Sequence, residues 1–251
     1  MMRTLKISLL FGLLFSAFAA HAELPNGYRV VLLTVNFPPF SMSIDDKNFA
    51  RDGGIDGIST DIVRAMFKRA DIDYNLTLRF PWDRIYNLTL DKPSYGLFPT
   101  TFTPEREPLF KWVGPLGSTS WVLLAAPNSG VKVDSLEEAS KFRIGALKSN
   151  ALTQHLEAKG IPLVIALRDQ ANTSKLAKGQ IDLWATDDPA GRYMARQEGI
   201  SGLRVAMTLN KADMFLALNK DTPDEVVQRL QKALDELRSE GFVDDITNSY
   251  L

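Results

Sequence analysis

The 251-residue chain contains no cysteine and only two histidines. Without cysteine, the chain can form no disulfide, thiol nucleophile or thiolate metal site. His21 falls within the predicted export signal described below, which leaves His155 as the only histidine of the mature chain. Zinc sites built on several histidines are therefore excluded. We predict no metal site and no cofactor, and we expect His155 to lie at a solvated position of a helix.

The charge of the chain is nearly balanced, with 29 lysines and arginines against 30 aspartates and glutamates. A net charge of −1 gives no basic surface for nucleic acid or an anionic membrane. Hydrophobic residues make up 45% of the sequence, which is ordinary for a globular protein. We therefore expect one large domain or two small lobes, and no nucleic-acid partner.

The first 22 residues have the pattern of a secretory signal peptide. Two basic residues precede an apolar run of about 14 residues, which is short of the roughly 20 needed to span a bilayer. An Ala20-His21-Ala22 cleavage site follows. We predict export to the periplasm with cleavage after Ala22, and no lipid anchor because no cysteine follows the site.

Apolar runs and helical stripes alternate along the rest of the chain, which predicts an α/β fold. Strands are predicted at "YRVVLLTVNF", "YNLTLRF", "YGLFPTT", "WVLLAAP", "FRIGAL", "IPLVIAL", "IDLWAT" and "ADMFLALNK". The segment from Phe37 to Gly57 is predicted to be a long polar loop. The C-terminal segment is predicted to be helical, with Thr222 as its N-cap and Gly241 as its stop.

Polar side chains follow three of the predicted strands. Thr101, Thr103 and Arg106 come after "GLFPT", Lys148, Ser149 and Asn150 come after "RIGAL", and Asp187 and Asp188 come after "DLWAT". In open α/β sheets, ligands bind beyond the carboxyl ends of the strands. An arginine fork suits a carboxylate, and an aspartate suits an ammonium group. A ligand with both charges could bridge the two sets.

The chain resembles the periplasmic solute-binding proteins of polar amino-acid ABC importers, extracellular solute-binding protein family 3. The resemblance covers nearly all of the mature chain. Six segments in the family's order carry it: "NFPPFS", "GIDGISTDIVRAMFKRA", "TFTPERE", "FRIGALKSNA", "GQIDLWATDD" and "LDELRSEGFVDDITNSYL".

This resemblance implies a two-lobed, type II periplasmic-binding-protein fold, a clam shell with a two-strand hinge. Lobe 1 would comprise residues 23–118 and 211–251, and lobe 2 residues 119–210. The implied function is capture of a small amino acid, or a related zwitterion or carboxylate, for delivery to the membrane subunits of an ABC permease. Delivery to a membrane sensor protein is the alternative. An enzyme like cyclohexadienyl dehydratase is a third reading, although no histidine or glutamate stands out as its acid or base.

The resemblance also implies roles for particular residues. Arg106 and Thr101 would bind a ligand carboxylate, Asp187 an ammonium group, and Phe37 would cover the ligand. The turn of Ser149 and Asn150 would complete the carboxylate cage. Trp82 and Arg84 are secondary candidates that follow from the same resemblance.

Each of these roles has a structural alternative. Arg106 could form an ion pair with Glu105 or Glu107, and Asp187 could cap a helix together with Asp188. The remaining alternatives are a core position for Phe37, packing for Trp82, a surface charge for Arg84, and a turn and cap for Ser149 and Asn150.

Two departures from the family's pattern, at Pro99 and Ala151, concern the expected ligand cage. Pro99 removes a backbone donor from the expected site, and Ala151 stands where a hydroxyl residue often binds the carboxylate. Both changes weaken the usual cage for an α-amino acid, so the ligand need not be an ordinary amino acid.

Overall fold

The computed structural model describes residues 24–25, 27–45 and 47–250. The predicted signal peptide lies outside these residues. The strands are β1 (Arg29–Thr34), β2 (Met42–Ser43), β3 (Phe49–Arg51), β4 (Ile55–Asp56), β5 (Asp73–Arg79), β6 (Tyr95–Thr101), β7 (Lys111–Ala125), β8 (Ile144–Leu147), β9 (Leu163–Ala166), β10 (Leu183–Asp188) and β11 (Arg204–Leu218). The helices are α1 (Ile58–Ala70), α2 (Trp82–Asp91), α3 (Leu136–Ala139), α4 (Ala151–Ala158), α5 (Gln170–Ala177), α6 (Ala190–Gln197), α7 (Asp224–Ser239) and α8 (Phe242–Tyr250).

Nine strands form one sheet in the order β3-β5-β1-β6-β11-β7-β10-β8-β9. The two central strands, β7 and β11, are 15 residues long and antiparallel. Strands from the first part of the chain lie on one side of this pair, and β8 to β10 lie on the other. The molecule thus has two groups of strands joined by two long strands. This is the predicted two-lobed α/β architecture with a two-strand hinge, so the fold prediction is confirmed.

The predicted lobe boundaries fall inside the two long strands. Ser118 pairs with Asp213, and Thr119 pairs with Ala212. The chain would thus pass between the lobes at nearly the same level of the β7–β11 ladder on both strands. The boundaries themselves stay a prediction.

Apolar stripes of the helices cover the sheet as the sequence indicates. In α7, Val226, Leu230, Leu234 and Leu237 are buried against the larger core, which also contains the inner face of α1. A second core lies between α4 and strands β7, β8 and β10. These two cores hold the carboxyl ends of the strands in fixed positions.

Several local predictions are wrong. The segment from Phe37 to Gly57 is not an unstructured loop, because it contains β2, β3 and β4. Thr222 does not cap α7: the N-cap is Pro223, and Thr222 is buried with its carbonyl accepting from Nζ of Lys111 at 2.7 Å. The strands predicted at "WVLLAAP" and "ADMFLALNK" are far too short, because they are the ends of the hinge strands.

Candidate ligand-binding site

A small cavity of about 70 Å³ lies between the two halves of the molecule. It is bounded by residues that end or follow strands on both sides of the hinge. Its walls are Val35, Asn36, Phe37, Trp82, Pro99, Thr101, Arg106, Trp121, Leu147, Asn150, Ala151, Leu152 and Asp187. Six of the seven predicted site residues are in this set, and Ser149 is the exception.

Arg106 follows β6 and points its guanidinium inward, since only 4% of the residue is exposed. The guanidinium donates to Oε1 of Gln154 at 3.1 Å and to the carbonyl of Thr101 at 3.5 Å. Among the described residues no carboxylate forms an ion pair with it, so the alternative of pairing with Glu105 or Glu107 is wrong. Most of its five N–H donors therefore remain available to a ligand.

Two aromatic rings hold the Arg106 guanidinium in place. Its central carbon lies 5.3 Å from the ring centre of Tyr86 and 5.9 Å from that of Trp82, both on α2. Cation–π contacts of this kind stabilise a cation that has left water. Burial lowers the pKa of Arg106, but a guanidinium stays protonated at any physiological pH. The cavity thus contains a fixed positive charge.

Asp187 supplies the opposite charge from the other side of the hinge. It lies within β10, paired with Trp121 of β7, and is 6% exposed. Its Oδ1 has no hydrogen-bond partner among the described residues. Helix α6 has Pro189 as its N-cap without a side-chain hydrogen bond, so the capping role considered for Asp187 is wrong. A buried carboxyl oxygen without a donor is a position for a ligand's cation or N–H group.

The environment of Asp187 disfavours its charge. Burial, reinforced by the neighbouring Asp169 carboxyl, raises the pKa of Asp187 to about 7. Asp169 is buried and accepts hydrogen bonds from the indole of Trp184 at 2.8 Å, the amide of Asn172 at 3.0 Å and the hydroxyl of Thr186 at 3.1 Å. Burial also raises the pKa of Asp169. A cationic group that binds beside Asp187 would relieve this penalty.

Asn150 and Ser149 occupy different surroundings although they are adjacent. Asn150 is the N-cap of α4, and its Oδ1 accepts from the N–H of Thr153 at 2.7 Å, while the residue also lines the cavity. The capping alternative is therefore correct for Asn150, yet its Nδ2 remains a possible donor to a ligand. Ser149 has a φ of 61° and lines a neighbouring cleft of about 250 Å³, together with Gln154.

The remaining predicted residues form the walls of the first half. Phe37 is half-buried and stacks on Phe40 with ring centres 5.3 Å apart, and it also packs against the larger core. Trp82 begins α2, and Thr101 ends β6. Arg84 is exposed and does not line the cavity.

The two departures from the family's pattern both reach the cavity. Pro99 and Ala151 are among its walls, so the lost backbone donor and the lost hydroxyl are lost at the site itself. Trp121, Leu147 and Leu152 also line it and were not predicted. Trp121 sits in a hinge strand and carried no signal beyond its aromatic character.

In the described part of the chain, three polar or cation–π contacts between side chains cross the cleft from one side of the hinge strands to the other. They are Arg106 to Gln154 at 3.1 Å, the Arg168 guanidinium over the Phe80 ring at 5.3 Å, and the Tyr193 hydroxyl to Sδ of Met42 at 3.6 Å. Gln154 is exposed on α4 and was not predicted. These contacts hold the two halves together around the cavity.

The matched family agrees with this architecture. The model for "Bacterial extracellular solute-binding proteins, family 3" matches residues 30–251. The chain belongs to this family. No curated protein sequence matches the chain. Family 3 proteins are solute-binding proteins, so the molecule is a ligand-binding protein, and the family is extracellular.

Solved structures share the fold of this family 3 protein at low sequence identity. A histidine kinase sensor domain described as similar to periplasmic binding proteins has a TM-score of 0.79 at 16% identity, over 90% of this chain and 98% of that one. The arginine-, lysine-, histidine-binding protein ArtJ from Geobacillus stearothermophilus has a TM-score of 0.76 at 20% identity, over 89% and 95%. An ancestral amino-acid-binding protein, AncCDT-1, described as a precursor of cyclohexadienyl dehydratase, has a TM-score of 0.71 at 15% identity, over 88% and 94%.

Two further observations concern the described part of this family 3 protein. No group of three or more His, Cys, Asp or Glu side chains there could hold a metal ion. No helix there combines the length and apolar character needed to cross a membrane.

Proposed function

We propose that this family 3 protein is a periplasmic substrate-binding protein that captures a small amino acid, or a related zwitterion or carboxylate, and delivers it to an ABC permease. One observation carries the proposal. A guanidinium and a carboxyl group, both buried and neither in an ion pair with another described residue, line a single cavity from opposite sides of the hinge. The proposal includes export by a cleaved signal peptide, residues 1–22, without a lipid anchor.

The two groups suit the two ends of an amino acid. The fork of Arg106 can donate two parallel hydrogen bonds to a carboxylate. Oδ1 of Asp187 can accept from an ammonium group, with Thr101 and Asn150 as further polar neighbours. Because Arg106 and Asp187 come from opposite sides of the hinge, a ligand that contacts both interacts fully only in the closed form. This differential contact is what drives closure.

Isothermal titration calorimetry of Arg106→Ala against a panel of amino acids tests the assignment. Two hydrogen bonds to a charged group contribute about 3–6 kcal/mol, so we expect affinity to fall roughly 100- to 10,000-fold. Arg84→Ala is the matched control, because Arg84 is an exposed arginine outside the cavity. Unchanged binding of the best ligand by Arg106→Ala would show that the site is wrongly assigned.

A role as a receptor that feeds a membrane sensor is the alternative. The similarity in fold to a histidine kinase sensor domain supports this possibility. Uptake of a labelled ligand by cells with and without the protein separates the two roles. Lost uptake supports transport, whereas unchanged uptake with altered autophosphorylation of a kinase supports the sensor role.

An activity like that of cyclohexadienyl dehydratase is the less favoured alternative. The sequence offered no histidine or glutamate as acid or base, but the pKa of about 7 for Asp187 makes this carboxyl capable of proton exchange near neutral pH. Turnover of prephenate or arogenate, lost in Asp187→Asn, would support the enzyme. The absence of turnover would leave binding as the function.

A further inference from the structure

The cavity contains a balanced pair of charges and no third charged group. Among the described residues that line it, Arg106 is the only cation and Asp187 the only acid. The two charges of a zwitterion would use both. A third charge on the ligand would be buried without a partner, which is strongly unfavourable.

The polar groups in the walls offer little to a second ligand cation. The amide of Asn36 is already used at both ends: Nδ2 donates to the carbonyl of Lys47 at 3.0 Å, and Oδ1 accepts from the N–H of Ser43 at 2.7 Å. Oδ1 of Asn150 accepts from the helix it caps. Each of these two oxygens keeps at most one free lone pair, which is too little to replace the water around an additional ammonium group.

Apolar groups from both halves form the rest of the surface. Val35, Phe37, Trp82 and Pro99 lie on one side, and Trp121, Leu147, Ala151 and Leu152 lie on the other. Trp121 and Leu152 are almost completely buried. A ligand substituent that is apolar would gain from contact with these walls, and a charged substituent would lose its hydration.

The space is also small. The cavity measures about 70 Å³, less than half the ~150 Å³ of an apolar cavity that holds benzene. Typical ligand sites are several times larger, at about 300–1,000 Å³. In so small a space, each further ligand atom has to displace closely packed wall atoms. Short substituents are therefore favoured.

We propose that this site selects small zwitterions with a short, uncharged and apolar substituent, and that it excludes amino acids with charged side chains. The inference rests on the proposed function, since it concerns the same cavity. It separates this protein from a relative of similar fold whose description names arginine, lysine and histidine as ligands.

Calorimetry with two matched pairs of amino acids tests the proposal on the wild-type protein. L-norvaline and L-ornithine share a three-carbon side chain and differ by a terminal ammonium group. L-2-aminobutyrate and L-glutamate share a two-carbon side chain and differ by a terminal carboxylate. Because the extra charge would be buried unpaired, we expect the uncharged member of each pair to bind at least about tenfold more tightly.

The outcomes separate this proposal from the proposed function. Suppose that ornithine or glutamate binds at least as tightly as the uncharged member of its pair, and that Arg106→Ala abolishes this binding. The proposed specificity is then wrong, while the assignment of the binding site stands. If no amino acid or small carboxylate binds, both fail.

A substitution in the wall provides a second test. Leu147 is half-buried and lines the cavity, so Leu147→Asp would supply the acid that a side-chain ammonium lacks. We expect the preference for norvaline over ornithine to fall about tenfold or more. Leu136→Asp is the matched control, because Leu136 is a half-buried leucine that packs on the second core and lies outside the cavity. An unchanged preference in a folded Leu147→Asp protein would overturn the proposal.

Discussion

The substitution Asp187→Asn keeps the shape of the side chain and removes a carboxyl group whose pKa lies far from its ordinary value. The folded protein raises the pKa of Asp187 from 3.8 to about 7. The ligand-free fold therefore favours the neutral carboxyl. The contribution of the neutral carboxyl to the free energy of unfolding is fully present below pH ~4. This contribution is lost as the pH rises to about 7.

The size of the effect follows from the shift in pKa. A shift of about three units at roughly 1.4 kcal/mol per unit gives about 4 kcal/mol. The Asp187→Asn protein has no carboxyl group at this position, so it does not lose this free energy of unfolding at high pH. We therefore expect wild type and variant to differ by a nearly constant amount below pH 4, and the variant to gain up to roughly 4 kcal/mol relative to wild type by pH 8.

Ligand binding should show the opposite dependence on pH. An ammonium group favours the ionised carboxyl, and about one Asp187 in eleven is ionised at pH 6 if its pKa is 7. The affinity of a zwitterion should then rise about tenfold between pH 6 and pH 8. Asp187→Asn should bind more weakly at pH 8 and lose most of this dependence.

Urea unfolding of the ligand-free proteins between pH 4 and 8, and calorimetry at pH 6 and 8, measure the two effects. Asp188→Asn is the control, because Asp188 is the next residue but forms an ion pair with Arg192 at 3.0 Å. Asp169 remains in both proteins, and because its carboxyl interacts with that of Asp187, the difference between the two curves reports the coupled pair. Parallel stability curves for wild type and Asp187→Asn would refute the reasoning, since they would mean that Asp187 does not titrate in this range.

Two further substitutions test the closed cleft and the support of the first lobe. Gln154→Glu would place a carboxylate beside the Arg106 guanidinium. Thermal melting should show a higher melting temperature for the ligand-free protein, and calorimetry should show ligand binding that is at least about tenfold weaker. Unchanged affinity would contradict the idea that this carboxylate occupies the position of the ligand carboxylate. Gly57→Ala should cost about 2 kcal/mol or more in urea unfolding, because Gly57 has a φ of 124° and an added Cβ would lie 2.6 Å from the carbonyl oxygen of Phe40. Gly53→Ala should cost little, since nothing lies within 4 Å of its added Cβ, and equal costs for the two alanines would contradict this explanation.

The order of the elements could be predicted from the sequence because each helix and strand carries its own local pattern. The β6 strand at Tyr95–Thr101 and the apolar stripe of α7 follow directly from periodicity. The full lengths of β7 and β11 could not be predicted in this way. The ladder between them also contains a register shift, because Gly117 pairs with Met214 and Val113 with Leu216, and no local pattern in the sequence indicates this irregularity.

The site was predictable where a side chain stands next to a recognisable strand end. Arg106 and Asp187 are of this kind, and both line the cavity. Trp121 and Gln154 were not predictable, because their places depend on the register of the hinge and on the closure of the cleft. The raised pKa of Asp187 likewise depends on the burial of this residue and on Asp169, 18 positions earlier, which only the folded structure reveals.

A crystal structure of the protein grown with L-norvaline tests the central claim most directly. The account predicts one norvaline in the cavity, with its carboxylate about 3 Å from the Arg106 guanidinium and its ammonium about 3 Å from Oδ1 of Asp187. Norvaline bound elsewhere, or bound with either group turned away from it, would contradict the account.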